Sequence, residues 1–255
     1  MKSQEKAVLS IQAHPDDAEF TCAGTLALLK QKGWQVHIAT MTPGDCGSAT
    51  LNRAEISAIR KQEAANAAKL LDGQYHCLEC EDVFIMYDKP TLLKVIGVIR
   101  KVRPTIVITH SPQDYFIDHE NTSHLVRTGC FACGIPNVDT PGIPAYGFTP
   151  YLYYADAMEG KDIFGAPIPP SIYVDIASTM NIKEQMLCCH KSQRDWLMAH
   201  HGMDEYTASM KRHAEHRGQD SRVKYAEAFR QHLGHGYPQD NLLKQELNKL
   251  VTEKQ

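Results

Sequence analysis

The chain has 255 residues, 43% of them hydrophobic, and a formal net charge of −3. That length suits one large α/β domain or two small ones, and the composition is not that of a disordered protein. No basic block points to nucleic acid and no run approaches a membrane span. "MKSQEKAVLSIQ" lacks the apolar segment of a signal peptide, so a cytoplasmic protein is expected.

In chain order, "AVLSIQ" (7–12) reads as a first strand, and residues 18–32 as one helix closed by Gly33. Residues 34–42 form the second strand, 43–50 a loop, and 52–71 an alanine-rich helix that stops before Gly73. "YHCLEC" (75–80) is a third strand, 91–103 an amphipathic helix ending before Pro104, and "TIVITH" (105–110) a fourth strand. Strand and helix alternate without a hairpin signal, which predicts a mostly parallel sheet with helices on both faces. Beyond residue 134 comes a Pro/Gly-rich loop, then strands at "YLYYAD" and "SIYVDI". Residues 178–233 read as largely helical, and a short polar tail follows Leu243. With no repeat or linker, residues 1–255 are expected to form one domain. Its core covers about 6–195, with a helical C-terminal region over about 196–243.

In open α/β sheets, ligands bind outside the carboxyl ends of the strands. "HPDD" follows strand one, "TPGDCGS" strand two and "HSPQDYFIDH" strand four, so three polar loops should converge on one edge. His14 and Asp17 lie three apart across a turn entering a helix, near enough to share an ion. Alone they would suit a polar turn as well as a metal. His119 in "DYFIDH" is the best third ligand, and two His plus one carboxylate with room for water is a catalytic zinc set. Ferrous iron accepts a similar set. Asp16, beside the ligands without being one, is placed to take a proton from water. Phosphate motifs are missing: "GDCGS" has no P-loop lysine, and no G-x-G-x-x-G follows strand one.

Other features read as structural. "CLEC" (77–80) and "CFAC" (130–133) are too far apart for a compact zinc ribbon, so these thiols are expected to be reduced and mostly buried. His213 and His216 can share a helical face but lack a carboxylate partner, and "NTS" at 121–123 is a chance sequon.

"AHPDDAEF", "MTPGDCGS", "RKQEAANAAKLL", "DYFIDHENTSHLV" and "KEQMLCCHKSQ" together resemble the PIG-L/LmbE-like zinc N-deacetylases. The resemblance covers about residues 6–133 and resumes near 171–195. It implies a Rossmann-like three-layer α/β sandwich without a dinucleotide site, and one zinc per chain held by His14, Asp17 and His119. It further implies Asp16 as general base, Asp118 as a supporting carboxylate, and Arg60 as a contact for substrate or acetate. The implied substrate is a small N-acetylglucosamine-type sugar or conjugate, and several relatives form trimers or hexamers. One departure stands out. Where many members read His-Pro-Asp-His, this chain has Phe116-Ile117-Asp118-His119, so the histidine that helps the oxyanion is gone. A substitute donor is sought in Arg60, in His124, or in the C-terminal stretches "AHHGMDEY" and "HLGHGYP", which hold His200, His201 and His235; His190 is a further candidate. Two other readings are a deacylase of an amino-sugar thiol conjugate and a non-catalytic sugar-binding relative.

Overall fold

A computed structural model describes residues 6–194 and 205–254. Five strands pair in parallel: β1 (Ala7–Gln12), β2 (Gln35–Thr40), β3 (Gln74–Cys77), β4 (Ile106–Thr109) and β5 (Tyr151–Ala155). Three more extend the sheet with antiparallel pairings: β6 (Ile172–Asp175), β7 (Ala226–Gln231) and β8 (Val251–Glu253). The order is β3-β2-β1-β4-β5-β7-β6-β8. β1 therefore lies between β2 and β4, where the chain reverses its direction of travel across the sheet. The crevice at such a switch point is where this architecture binds ligands.

Side chains of β1 alternate between two apolar layers: Val8 packs on one face, Leu9 and Ile11 on the other. The first layer is closed by α1 (Asp17–Thr21), α2 (Ala23–Gln31), α3 (Arg53–Lys69), α6 (Met180–Leu187), α7 (Glu205–Ser221) and α8 (Leu242–Leu247). The second is closed by α4 (Lys89–Val102) and α5 (Ile117–Ala132). This is the three-layer sandwich expected from the sequence. The caps are local: Asn52 and Glu55 form a capping box on α3, and the Asp88 carboxylate accepts the Thr91 N–H on α4. No helix among the described residues is long and apolar enough to cross a membrane.

Three expectations change. First, the helix predicted over 18–32 is two helices, broken at Cys22. Glu227 of β7 accepts the Gly24 and Thr25 N–H groups at 2.8 and 2.7 Å, so α2 begins on a buried carboxylate. Lys183 donates to Glu227 and to the Phe20 carbonyl, both at 2.6 Å, closing the end of α1. Second, residues 226–231 are a strand. "AEAFRQ" is composed largely of good helix formers, but a slot between β5 and β6 offers it backbone partners on both sides. Third, the tail after Leu243 continues α8 and adds the edge strand β8.

Lys183 and Glu227 are both buried, so removing one charge strands the other. Lys183→Met should cost about 3–5 kcal/mol of stability in equilibrium urea unfolding. Adding Glu227→Gln should recover part of it. A loss below about 1 kcal/mol for the single variant would show that the pair does not hold the helix break.

Candidate active site

The loop after β1 is held from several sides. The Ala13 N–H donates to His110 Nε2 at 3.0 Å, and the His14 N–H to Asp17 Oδ2 at 2.8 Å. Between them Asp16 adopts φ 98° and ψ −23°. Such left-handed backbone costs a residue with a Cβ roughly 1–3 kcal/mol and persists where surrounding contacts over-determine it. One of those contacts is Arg60 of α3, whose Nη2 donates to the Pro15 carbonyl at 2.8 Å. Arg60 reaches it across the loop after β2. Gly44 there has φ +72°, and a Cβ on Gly44 or Gly47 would overlap the guanidinium. The glycines of "PGDCGS" thus make room for an arginine, not for a phosphate.

His14, Asp17 and His119 come together, with a donor atom from each lying within 4.8 Å of the others. His14 Nδ1 is 3.4 Å from Asp17 Oδ2, and His119 Nε2 is 3.7 Å from Asp17 Oδ1. The far side of each ring is tied to carboxylates. His14 Nε2 lies 3.1 Å from Asp82 Oδ1 and 3.3 Å from Asp118 Oδ2, while His119 Nδ1 lies 3.0 Å from Asp114 Oδ1. His110 stacks on His119 with ring centroids 4.0 Å apart, and its Nε2 is 3.1 Å from Asp17 Oδ2.

Burial opposes charge on His14, but hydrogen bonds with Asp118, Asp17 and Asp82 outweigh it and raise its pKa well above the usual value. Burial brings His110 down to about 4, so it is neutral. Burial would raise Asp17, yet the facing imidazoles, His119 above all, hold it well below the carboxylate range. Asp16 is raised, by burial more than by any neighbour. The edge is thus rich in carboxylate and attracts cations.

A cavity of about 320 Å³ opens on this group. Of the residues singled out in the sequence, His14, Asp16, Asp17, Arg60 and His119 line it, and Asp118 is buried behind His14. Other expected residues are elsewhere. His124, five residues past His119 on α5, sits beside Arg127 away from the cavity. His235 is exposed at the opposite end of the sheet. "HLGHGYP" follows β7, whose antiparallel course carries it to the amino end of β5, where the His232 N–H bonds the Leu152 carbonyl. His200 and His201 lie outside the described residues. His190 is buried with its Nε2 3.5 Å from Glu19, and His213 pairs with Asp156. Among the described residues, none of Cys77, Cys80, Cys130 and Cys133 joins a group able to share an ion.

Sequence reasoning missed Asp82, His110, Asp114 and Tyr206. His110 and Asp114 were in plain view within "THSPQD". Asp82 was hidden because "YHCLEC" read as strand to residue 80, whereas β3 ends at Cys77 and releases a loop. Tyr206 closes the stretch "AHHGMDEY", whose residues 199–204 lie outside the described ones; it lines the cavity, and its hydroxyl donates to Asp16 Oδ2 at 2.6 Å. Where the family histidine would stand, Phe116 stacks on His14 at 5.3 Å and 10°.

The molecule is an α/β protein with a buried His/Asp centre at the switch point of a largely parallel sheet. The sequence profile of the PIG-L family, described as GlcNAc-PI de-N-acetylase, matches residues 9–130. A probable N-acetyl-alpha-D-glucosaminyl L-malate deacetylase 2 of Bacillus subtilis is 32% identical over 200 residues, 75% of this chain and 85% of that one. The 4-oxalmesaconate hydratase of Pseudomonas putida is 26% identical over 208 residues, 76% of each chain. Among solved structures, the N,N'-diacetylchitobiose deacetylase from Pyrococcus horikoshii has a TM-score of 0.77 at 25% identity, covering 91% of this chain and 87% of its own. The chain belongs to the PIG-L family.

Gly44→Ala should displace the Arg60 guanidinium and strain a turn at positive φ, lowering stability by more than about 1 kcal/mol in thermal unfolding. An unchanged melting temperature would mean that the loop does not need this glycine.

Proposed function

We propose that this protein is a zinc-dependent N-deacetylase of an N-acetylglucosamine-type sugar or conjugate. The matched orientation of two imidazoles carries the reading. His14 and His119 each have one ring nitrogen tied to a carboxylate and the other turned toward Asp17. Second carboxylates of this kind orient histidines that ligate a metal. His14, Asp17 and His119 would hold the ion, and two nitrogens with one oxygen suit zinc, or iron in the ferrous state. When bound, a divalent ion supplies Lewis acidity toward a carbonyl oxygen and acidifies water.

The chain's own groups do the rest. Asp16 takes the proton of the attacking water and returns it to the departing amine. Arg60, within 3.5 Å of Asp16 Oδ2, keeps a positive charge beside that carboxylate and faces the acetate product. Tyr115, Phe116 and Tyr206 add aromatic walls to the cavity, whose volume is at the low end for small-molecule sites, enough for one acetamido sugar ring. The names of the Bacillus and Pyrococcus relatives support this substrate class.

A second reading is water addition to an unsaturated acid, the reaction in the name of the Pseudomonas relative. Phe116 favours it: its ring donates no proton, and such an addition expels no amine. Charge disfavours it. Among the described residues lining the cavity, Arg60 is the one permanently cationic side chain against Asp16, Asp17 and Asp82.

Mass spectrometry of acetate release from a panel of N-acetylated sugars, run beside mass spectrometry of water addition to 4-oxalmesaconate, separates the two readings. Acetate release is expected. Water addition without acetate release would reject deacetylation.

His14→Ala, Asp17→Ala and His119→Ala should each lose the bound metal measured by elemental analysis, because three protein ligands leave no spare. Full occupancy in all three would reject the site. Asp16→Asn is the better test of the base than alanine, since asparagine tolerates positive φ. It should keep metal and lose about 10²–10⁴-fold in turnover. Normal turnover would mean another group is the base.

A further inference from the structure

Asp16 has a strained backbone, and its carboxylate has two described partners, both on Oδ2. Tyr206 donates its hydroxyl at 2.6 Å, and Arg60 Nη2 lies 3.5 Å away, too far for a strong hydrogen bond. Among the described residues Oδ1 has no partner, so it is the oxygen of this cavity-lining carboxylate left for a proton in transit. Tyr206 comes from the start of α7, 190 residues away in sequence, and itself lines the cavity. Burial and the nearby Asp16 charge keep its phenol protonated, hence a donor. Phe116, whose ring covers His14, offers no hydrogen bond to this carboxylate.

We propose that Tyr206 is a positioning residue: its hydroxyl, donated to Oδ2, holds the strained Asp16 so that Oδ1 faces the reacting atoms. This rests on reading Asp16 as the base. A phenol in this role predicts a rate effect through orientation, not a binding effect, because the hydroxyl is spent on Asp16.

Tyr206→Phe removes one oxygen and is the variant to test. We expect kcat for acetate release to fall about 10–100-fold, the scale of a small misplacement of a reacting group, with KM and bound metal unchanged. Full kcat would overturn the proposal, as would a loss confined to KM. A second measurement needs no substrate. Unfolding midpoints are compared for Tyr206→Phe alone and in an Asp16→Gly background, where neither strain nor carboxylate remains. The midpoint should drop in the first case and not in the second. An equal drop in both would mean that the hydroxyl acts without Asp16, which also overturns the proposal. If the wild-type protein releases acetate from no sugar on the panel, deacetylation fails on its own account, and the unfolding comparison alone decides whether Tyr206 holds Asp16.

Discussion

Asp17, Asp82, Asp114 and Asp118 are buried together at one edge of the sheet, and a carboxylate taken out of water needs charge or hydrogen bonds close by. Much of the edge answers that need. His14 stands among Asp17, Asp82 and Asp118, and His119 between Asp17 and Asp114. Backbone N–H groups of His14, Val83 and Tyr115 reinforce oxygens that these rings already face, and that of Met158 satisfies the second oxygen of Asp114, while Asp118 Oδ1 is without a partner among the described residues. These groups arrive on the loops and helix starts that follow four different strands. Parallel pairing brings their carboxyl ends to the same side. Negative charge still exceeds fixed positive charge, which is why the edge suits a divalent cation.

Holding these groups in place strains the chain. Asp16 and Val83 both have positive φ, at 98° and 74°, and Val83 is β-branched, for which such backbone is a true outlier. In each case a polar contact accounts for the conformation. The Val83 N–H must reach Asp118, and the turn at Asp16 must let His14 and Asp17 face one point. Behind them the Lys183–Glu227 pair anchors the junction of α1 and α2 a turn away, so the strained turn is backed by a rigid element.

The C-terminal third divides between the two ends of the sheet. α7 brings Tyr206 to Asp16, while the antiparallel β7 carries His232 and His235 to the far end. Phe116 also changes the character of the site. Its ring packs on His14 and against His119, presenting an apolar wall at that position. Polar support therefore reaches Asp16 from Arg60 and Tyr206, on other elements.

The sequence by itself determined what depends on near neighbours. The first four strands, the helices between them, and the pairing of His14 with Asp17 were legible because apolar periodicity and a three-residue spacing are local properties. His119 was legible because the segment that holds it follows a recognisable strand. Long-range contacts decided the remainder. "AEAFRQ" is a strand because β5 and β6 flank it, against its helical propensity. The helix break at Cys22 exists because Glu227, more than 200 residues on, accepts the Gly24 and Thr25 N–H groups. Asp82 and Tyr206 joined the site for the same reason. Nothing in their local spacing marks them, since the partner of a buried polar group is set by which elements the fold packs together, and only the tertiary structure settles that.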